Sequence, residues 1–246
     1  MIEAAAPSYL TVPHLARIPW LIHGFGTRHW TLADFHKSPG WENFEIAWLK
    51  QIHSGEIRFV ESASRGRLKG DALATDRPRI FLIMKTADCL PVFLVDRSKR
   101  VVSAVHCGWR GTRQRILERV VAGLGARYGC RPASLLAALG PCIEAACYEV
   151  GNDVRDDFRA AGIAGDVFRP IGARPGKYLF DLRKANRRQL AAAGVSASNI
   201  FDVNLCTHCD PRLHSFRRDR NTSARLYNFI GIKGGHNTLS PIDPCR

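Results

Sequence analysis

Three residues of this 246-residue chain carry side chains suited to one metal ion: His53, Cys89 and His106. Cysteine sulfur and histidine nitrogen are the usual zinc donors, and a catalytic zinc takes three protein ligands and leaves one position for water. The separations of 36 (89 − 53) and 17 (106 − 89) residues match no compact zinc-finger spacing. A cysteine nucleophile, Cys89 with His106 as its base, uses the same residues. Thiolate ligand and thiolate nucleophile need the same depressed pKa, so spacing leaves both readings open. Asp88, beside Cys89, is placed to orient a ligand or to assist proton transfer.

A rival grouping is Cys206-Thr207-His208-Cys209, with His214 nearby. A C-x-x-C pair can seed a structural zinc site. No second C-x-x-C supplies the two further ligands, which favours structural thiols. Cys142 and Cys147 flank a turn and read as small buried residues.

Arginine grips phosphate or carboxylate through two parallel hydrogen bonds. Arg28 leaves a Gly-rich turn, Arg110 sits in Gly-Trp-Arg-Gly, and Arg217 and Arg218 sit in SFRRD. Arg28, Arg110 and Arg217 are the candidate anion clamps; the plainer account of Arg217 and Arg218 is a solvated basic loop, or Asp219 pairing with one of them.

These residues need a scaffold. RIFLIM (79–84), PVFLVD (91–96) and RVVSAVH (100–106) are apolar runs suited to buried strands, so Cys89 and His106 fall at strand ends. After Trp109, Ile116, Leu117, Val120, Val121 and Leu124 recur on one helix face. Gly108 and Gly111 permit a tight strand-to-helix turn whose amides could bind an anion. Further strands are expected at 20–28, within GDALAT (70–75), and at 134–140, 200–207 and 225–232. Helices are expected at 45–50, from Asn152 or Asp153 to Ala160, and from an Asp181 cap to Ala193. Residues 29–43, 162–179 and the basic stretch 207–225 read as loops, and 1–19 and 234–246 as peripheral. The elements mix without strict βαβ alternation, which gives an α+β fold in a single domain, 1–246, with no internal repeat.

Composition narrows the function. Hydrophobic residues make up 46% and charged residues 24%, enough for a sizeable core and against global disorder. The net charge of +14, from 36 Lys+Arg against 22 Asp+Glu, favours an anionic partner such as phosphate or a nucleotide. Nucleic acid ranks low: the basic residues are scattered, and no zinc-finger, helix-turn-helix or ribonucleoprotein motif is present. No apolar run approaches the ~18 residues of a membrane helix. The N-terminus lacks a secretory signal, which predicts a cytoplasmic protein. Eight cysteines without such a signal predict free thiols or metal ligands.

Taken in order, QIHSG, KTADCLPV, VVSAVHCGWRGT, LGPCIEAACYEVG and SFRRD resemble the YfiH/laccase-domain family, also called multicopper polyphenol oxidase-like, from about Gly24 to Ile232. The resemblance implies layered mixed β-sheets flanked by helices, related to a deamidating bacterial toxin. It implies a zinc site from His53 in QIH, Cys89 in ADC and His106 in HCGWRG. It also implies phosphorolysis of adenosine, inosine, guanosine or methylthioadenosine, and deamination of adenosine, with a purine nucleoside and phosphate as partners. The laccase label fits poorly, since nine histidines include no H-x-H pair for a copper cluster. Copper at the Cys/His₂ set remains an alternative. Others are peptidoglycan precursor editing by amide hydrolysis and a non-enzymatic basic binding protein. The chain departs from the family pattern in the short HWTLADFHKSPGWENF segment, in Asn221-Thr222-Ser223-Ala224-Arg225 where Thr-Gly-Arg is usual, and in Cys107 where alanine is common.

Overall fold

Side chains alternate between the two faces of a strand, and here both faces are apolar. Leu90, Val92 and Leu94 of strand Leu90–Asp96 join one core cluster, whereas Phe93 and Val95 join another. Strand Ile80–Thr86 repeats the pattern: Ile80, Leu82 and Met84 share the second cluster, and Phe81 and Ile83 enter a third. Such strands must be covered twice, which dictates layers. The computed structural model describes residues 8–221 and 223–234 and shows that layering.

A six-stranded sheet runs in the order Ile200–Asp202, Leu135–Leu139, Leu90–Asp96, Val101–Cys107, Ala72–Thr75, Ile57–Phe59. A five-stranded sheet runs Tyr9–Leu10, Leu21–Gly26, Leu226–Ile232, Ile80–Thr86, Glu45–Trp48. The second core cluster lies between them, where Phe25 stacks on Phe93 with centroids 4.5 Å apart. Helices Ile116–Tyr128 and Leu182–Ala192 cover the far face of the six-stranded sheet. An aromatic group of Trp30, Phe35, Phe81 and Phe229 covers the far face of the other. A small third sheet holds Glu149–Gly151, Lys177–Phe180 and Phe168–Pro170. The layered α+β expectation holds.

The helix face Ile116, Leu117, Val120, Val121 and Leu124 is buried as its period required. Asp181 caps the helix Leu182–Ala192 by accepting from the Lys184 N–H. Four local expectations are corrected. Residues 45–50 form no helix: Glu45–Trp48 is a strand in parallel register with Ile80–Ile83, because burying Ile46 and Ala47 outweighs a short helix's weak propensity. The stretch 29–43 contains a helix, Leu32–Lys37, started by a reciprocal Thr31–Asp34 capping box. The stretch 162–179 contributes the strands Phe168–Pro170 and Lys177–Phe180, both short enough to escape a periodicity test. The strand expected over 200–207 stops at Asp202.

Residues 8–19 are not peripheral. Tyr9–Leu10 pairs with Phe25 and Gly26, and Val12, Leu15 and Ile18 are buried in the inter-sheet core. The tail beyond residue 234 lies outside the described residues.

Candidate metal centre and cleft

Strand register assembles the centre. In the antiparallel pair Leu90–Asp96 and Val101–Cys107, Leu90 faces Cys107 and Pro91 faces His106, which brings Cys89 beside His106. On the other side Ala72 faces Val105, and the His106 N–H donates to the Asp71 carbonyl at 2.7 Å. Asp71, His106 and Cys89 therefore sit on or beside neighbouring strands. His53 arrives from the segment ahead of Ile57–Phe59, the next strand out. The Nδ1 or Nε2 atoms of His53 and His106 and the Cys89 Sγ all lie within 4.8 Å of one another.

Two anchors hold His53, whose backbone takes a left-handed φ of 58°. Gln51 exchanges hydrogen bonds with Lys85, its Nε2 donating to the carbonyl and its Oε1 accepting from the N–H, both at 2.9 Å. The Asp71 carboxylate accepts the N–H groups of Ile52, His53 and Ser54, and the Ser54 hydroxyl. That network outweighs the cost of the unfavourable φ.

Asp71 is fully buried and lies 2.8 Å from His106 Nδ1. Burial opposes its charge, but hydrogen bonds from His106 and Ser54 hold its pKa down at about 2. An acceptor at Nδ1 leaves Nε2 of His106 as the nitrogen available to a metal, the carboxylate–histidine arrangement found in metal sites. At Cys89, burial pushes the thiol up, but the neighbouring charge and hydrogen bonds of His106, then His53, outweigh it and bring the thiol to about 6. Desolvation pulls His106 down, but the Cys89 thiolate and Asp71 prevail and raise it to about 9. Gly108 completes the cradle: a Cβ there would stand 3.0 Å from His53 Cδ2 and 3.1 Å from Cys89 Sγ. The donor types, the oriented imidazole and this spared space fit a small thiophilic cation.

The triad opens onto a cleft of about 790 Å³. Lys50, Lys85, Arg110, Arg217, Arg220 and Arg225 line it with one acid, Asp88. Partial burial and the nearby Arg225 lower the Lys85 pKa, a repulsion that a bound anion would relieve. Arg110 lies over the Trp109 ring at 4.3 Å and Arg217 over Tyr148 at 5.3 Å, and both rings line the cleft.

Asp88, at φ 84°, is already engaged: one carboxylate oxygen accepts from the Thr207 hydroxyl at 2.7 Å and the other from the Arg217 N–H at 2.6 Å. It thereby joins the Cys89 turn to the short helix Phe216–Asp219, in a stretch expected to be loop. Arg28 is not among the cleft-lining residues; it is exposed, its N–H donates to the Arg212 carbonyl, and its charge acts on His214 and Asp219. Arg218 likewise points away, its guanidinium bonded to the carbonyls of Thr207, His208, Asp210 and Leu213 and to Asp219. The turn after Gly108 is one short helix, Trp109–Arg113, broken from Ile116–Tyr128 by Arg115 at φ 58°. Sequence reasoning missed Asp71, Gln51, Lys85, Arg225 and Tyr148. Asp71 did leave a trace, a lone acid opening the apolar strand of GDALAT.

Fold and site together describe a layered α+β protein with a Cys/His₂ centre at the floor of a basic cleft. Residues 31–233 match the family of multi-copper polyphenol oxidoreductase laccases, and the chain belongs to that family. A purine nucleoside phosphorylase of Deinococcus radiodurans is 37% identical over 188 residues, which cover 76% of this chain and 70% of that one. Adenosine deaminase RL5, from an unknown prokaryotic organism, is 36% identical over 196 residues, covering 76% and 74%. The crystal structure of the Bacillus licheniformis hypothetical protein YfiH superposes with a TM-score of 0.83 at 30% identity, covering 93% of this chain and 98% of that one. No helix among the described residues is long and apolar enough to cross a membrane.

Proposed function

We propose that this protein is a metal-dependent purine nucleoside enzyme, phosphorolysing adenosine, inosine, guanosine or methylthioadenosine and deaminating adenosine. The observation that carries the reading is the juxtaposition of the His53–Cys89–His106 triad with six cationic side chains in one cleft. The names of the relatives, purine nucleoside phosphorylase and adenosine deaminase, agree with it. A zinc ion held by the three residues would lower the pKa of a bound water and act as a Lewis acid.

The chain's own residues do the rest. Asp71 fixes the tautomer of His106 by accepting from Nδ1–H. Arg110, Arg217, Lys85 and Arg225 attract phosphate and hold it against the ribose, which supplies the proximity that phosphorolysis needs. Trp109 and Tyr148 offer ring faces to the purine. Asp88 works by position, fixing the Arg217 backbone so that its guanidinium faces the cleft.

Purified protein incubated with adenosine and phosphate should release adenine, and without phosphate should still yield inosine. Chromatography of the bases reads both. No product above a Cys89→Ala control would sink the proposal. Copper is the second reading, because a mixed thiolate–imidazole set binds it tightly and the family's description is multi-copper. Metal analysis of protein made without added copper, with a polyphenol oxidation assay on the same sample, separates the two.

A further inference from the structure

The C-x-x-C segment gains a partner in the folded chain that its sequence neighbourhood does not contain. Cys147 comes from a different turn, 62 residues from Cys209, yet the two sulfurs are 3.4 Å apart. The ligand atoms of Cys147, His208 and Cys209 all lie within 4.8 Å of one another. Cys206 lies beside this trio without belonging to its tight group: its thiol acts on that of Cys147 and accepts the Glu144 N–H at 3.4 Å. Two thiols and an imidazole thus converge from two segments, with a third thiol next to them.

We propose that Cys147, Cys206, His208 and Cys209 form a second metal site, a structural zinc centre separate from the His53–Cys89–His106 triad. A Zn–S bond of about 2.3 Å in a tetrahedron places sulfurs about 3.7 Å apart, close to what is seen, whereas a disulfide needs about 2.05 Å. With Cys206 drawn in from its adjacent position as the fourth ligand, a Cys₃His set leaves no position for water or substrate, which makes the site structural. Binding releases the thiol protons and takes His208 in its neutral form. The surrounding backbone is already fixed. Cys142 and Thr207 pair across the two segments, and Arg218 holds the Thr207 and His208 carbonyls. The site also reaches the cleft wall, since Tyr148 follows Cys147 and Thr207 donates to Asp88.

The test measures bound zinc per chain in the wild type, Cys209→Ser and His53→Ala, with circular dichroism to confirm folding. Two equivalents in the wild type and one in each variant are expected. Cobalt(II) added to metal-free His53→Ala should give the intense thiolate charge-transfer band of a multi-cysteine tetrahedral site. Should Cys209→Ser fail to fold, thiol titration of His53→Ala, in which the triad and its Cys89 are out of the count, decides. Three thiols protected until a chelator is added support the site; the same thiols reacting at rates the chelator leaves unchanged overturn it. One equivalent in the wild type and none in His53→Ala overturns it, as does a Cys147–Cys209 disulfide found by mass spectrometry. One equivalent that survives His53→Ala but not Cys209→Ser leaves this site standing and removes the triad as a zinc site.

Discussion

His106 Nδ1 and Asp71 Oδ1 stand 2.8 Å apart, His106 on one strand and Asp71 just ahead of its neighbour Ala72–Thr75, both side chains sealed from solvent. The same carboxylate takes three backbone N–H groups of the segment that carries His53. One buried charge therefore orients the His106 ring and positions the segment of His53, two members of the proposed metal triad. Asp71→Asn keeps the shape but sets an amide N–H against one of these donors. Loss of a carboxylate behind a ligating histidine costs about 10–100-fold in metal affinity. Competition with a chromogenic chelator should show a loss of that order, and unchanged affinity would remove Asp71 from this role.

Gly108 tests the cradle. Its φ of −78° suits any residue, so alanine brings no backbone penalty. The added Cβ meets His53 and Cys89 at 3.0 and 3.1 Å and must displace them by a few tenths of an ångström. Gly108→Ala should lower purine turnover by about 10-fold or more, since small misplacements at a reacting centre are costly. The melting temperature should fall by only a few degrees, as expected for about 1 kcal/mol of local overpacking. Steady-state rates beside a thermal melt separate the two effects.

Arg217 faces the cleft while its backbone N–H is pinned by Asp88 and its Nη2 donates to the Glu149 carbonyl at 3.0 Å. Removing a charge-assisted contact to phosphate costs about 1.5–3 kcal/mol, or roughly 10–100-fold. Arg217→Ala should raise the KM for phosphate by that factor and leave phosphate-independent deamination of adenosine nearly unchanged. Equal losses in both reactions would show that Arg217 supports the cleft wall rather than phosphate.

His23 is one source of acid sensitivity in the fold. It is buried, and the Val12 N–H donates to its Nε2 at 2.9 Å, which requires a neutral ring nitrogen there. Burial drives its pKa from the ordinary 6.5 down to about 4. Below pH 6.5 the unfolded chain therefore binds a proton that the folded chain refuses. The stability is complete above pH 6.5 and is lost as pH falls toward 4, by about 3 kcal/mol in full and about 2 kcal/mol at pH 5. His23→Gln retains an acceptor for Val12 without titrating. Urea unfolding at about pH 7.5 and pH 5 should show the wild type losing about 2 kcal/mol more than the variant, and parallel losses would exclude His23 as the cause.

The grouping of His53, Cys89 and His106 was legible through the family resemblance of the short motifs that carry them, and the three do come together in the fold. Their chemistry was readable from residue type, and the strands behind Cys89 and His106 from uninterrupted apolar runs. Arg110 and Arg217 were legible as arginines in turns, and both reach the cleft. Arg28 has the same local signature and points elsewhere, because the direction of a loop arginine depends on what the loop packs against. Cys147 read as a filler residue because its partners are far along the chain.

By itself, the sequence determined the periodicities: buried strands at 79–84, 91–96 and 100–106, a helix face running from Ile116 to Leu124, and a basic charge balance that favours an anion. Local sterics and hydrophobic patterning are written in neighbouring residues, so they can be read there. Only the tertiary structure decided that 45–48 is a strand, that Asp71 stands behind His106, that Arg28 is excluded from the cleft, and that Cys147 meets Cys209. Those relationships depend on register and packing between distant segments, and no pattern confined to a short window records them.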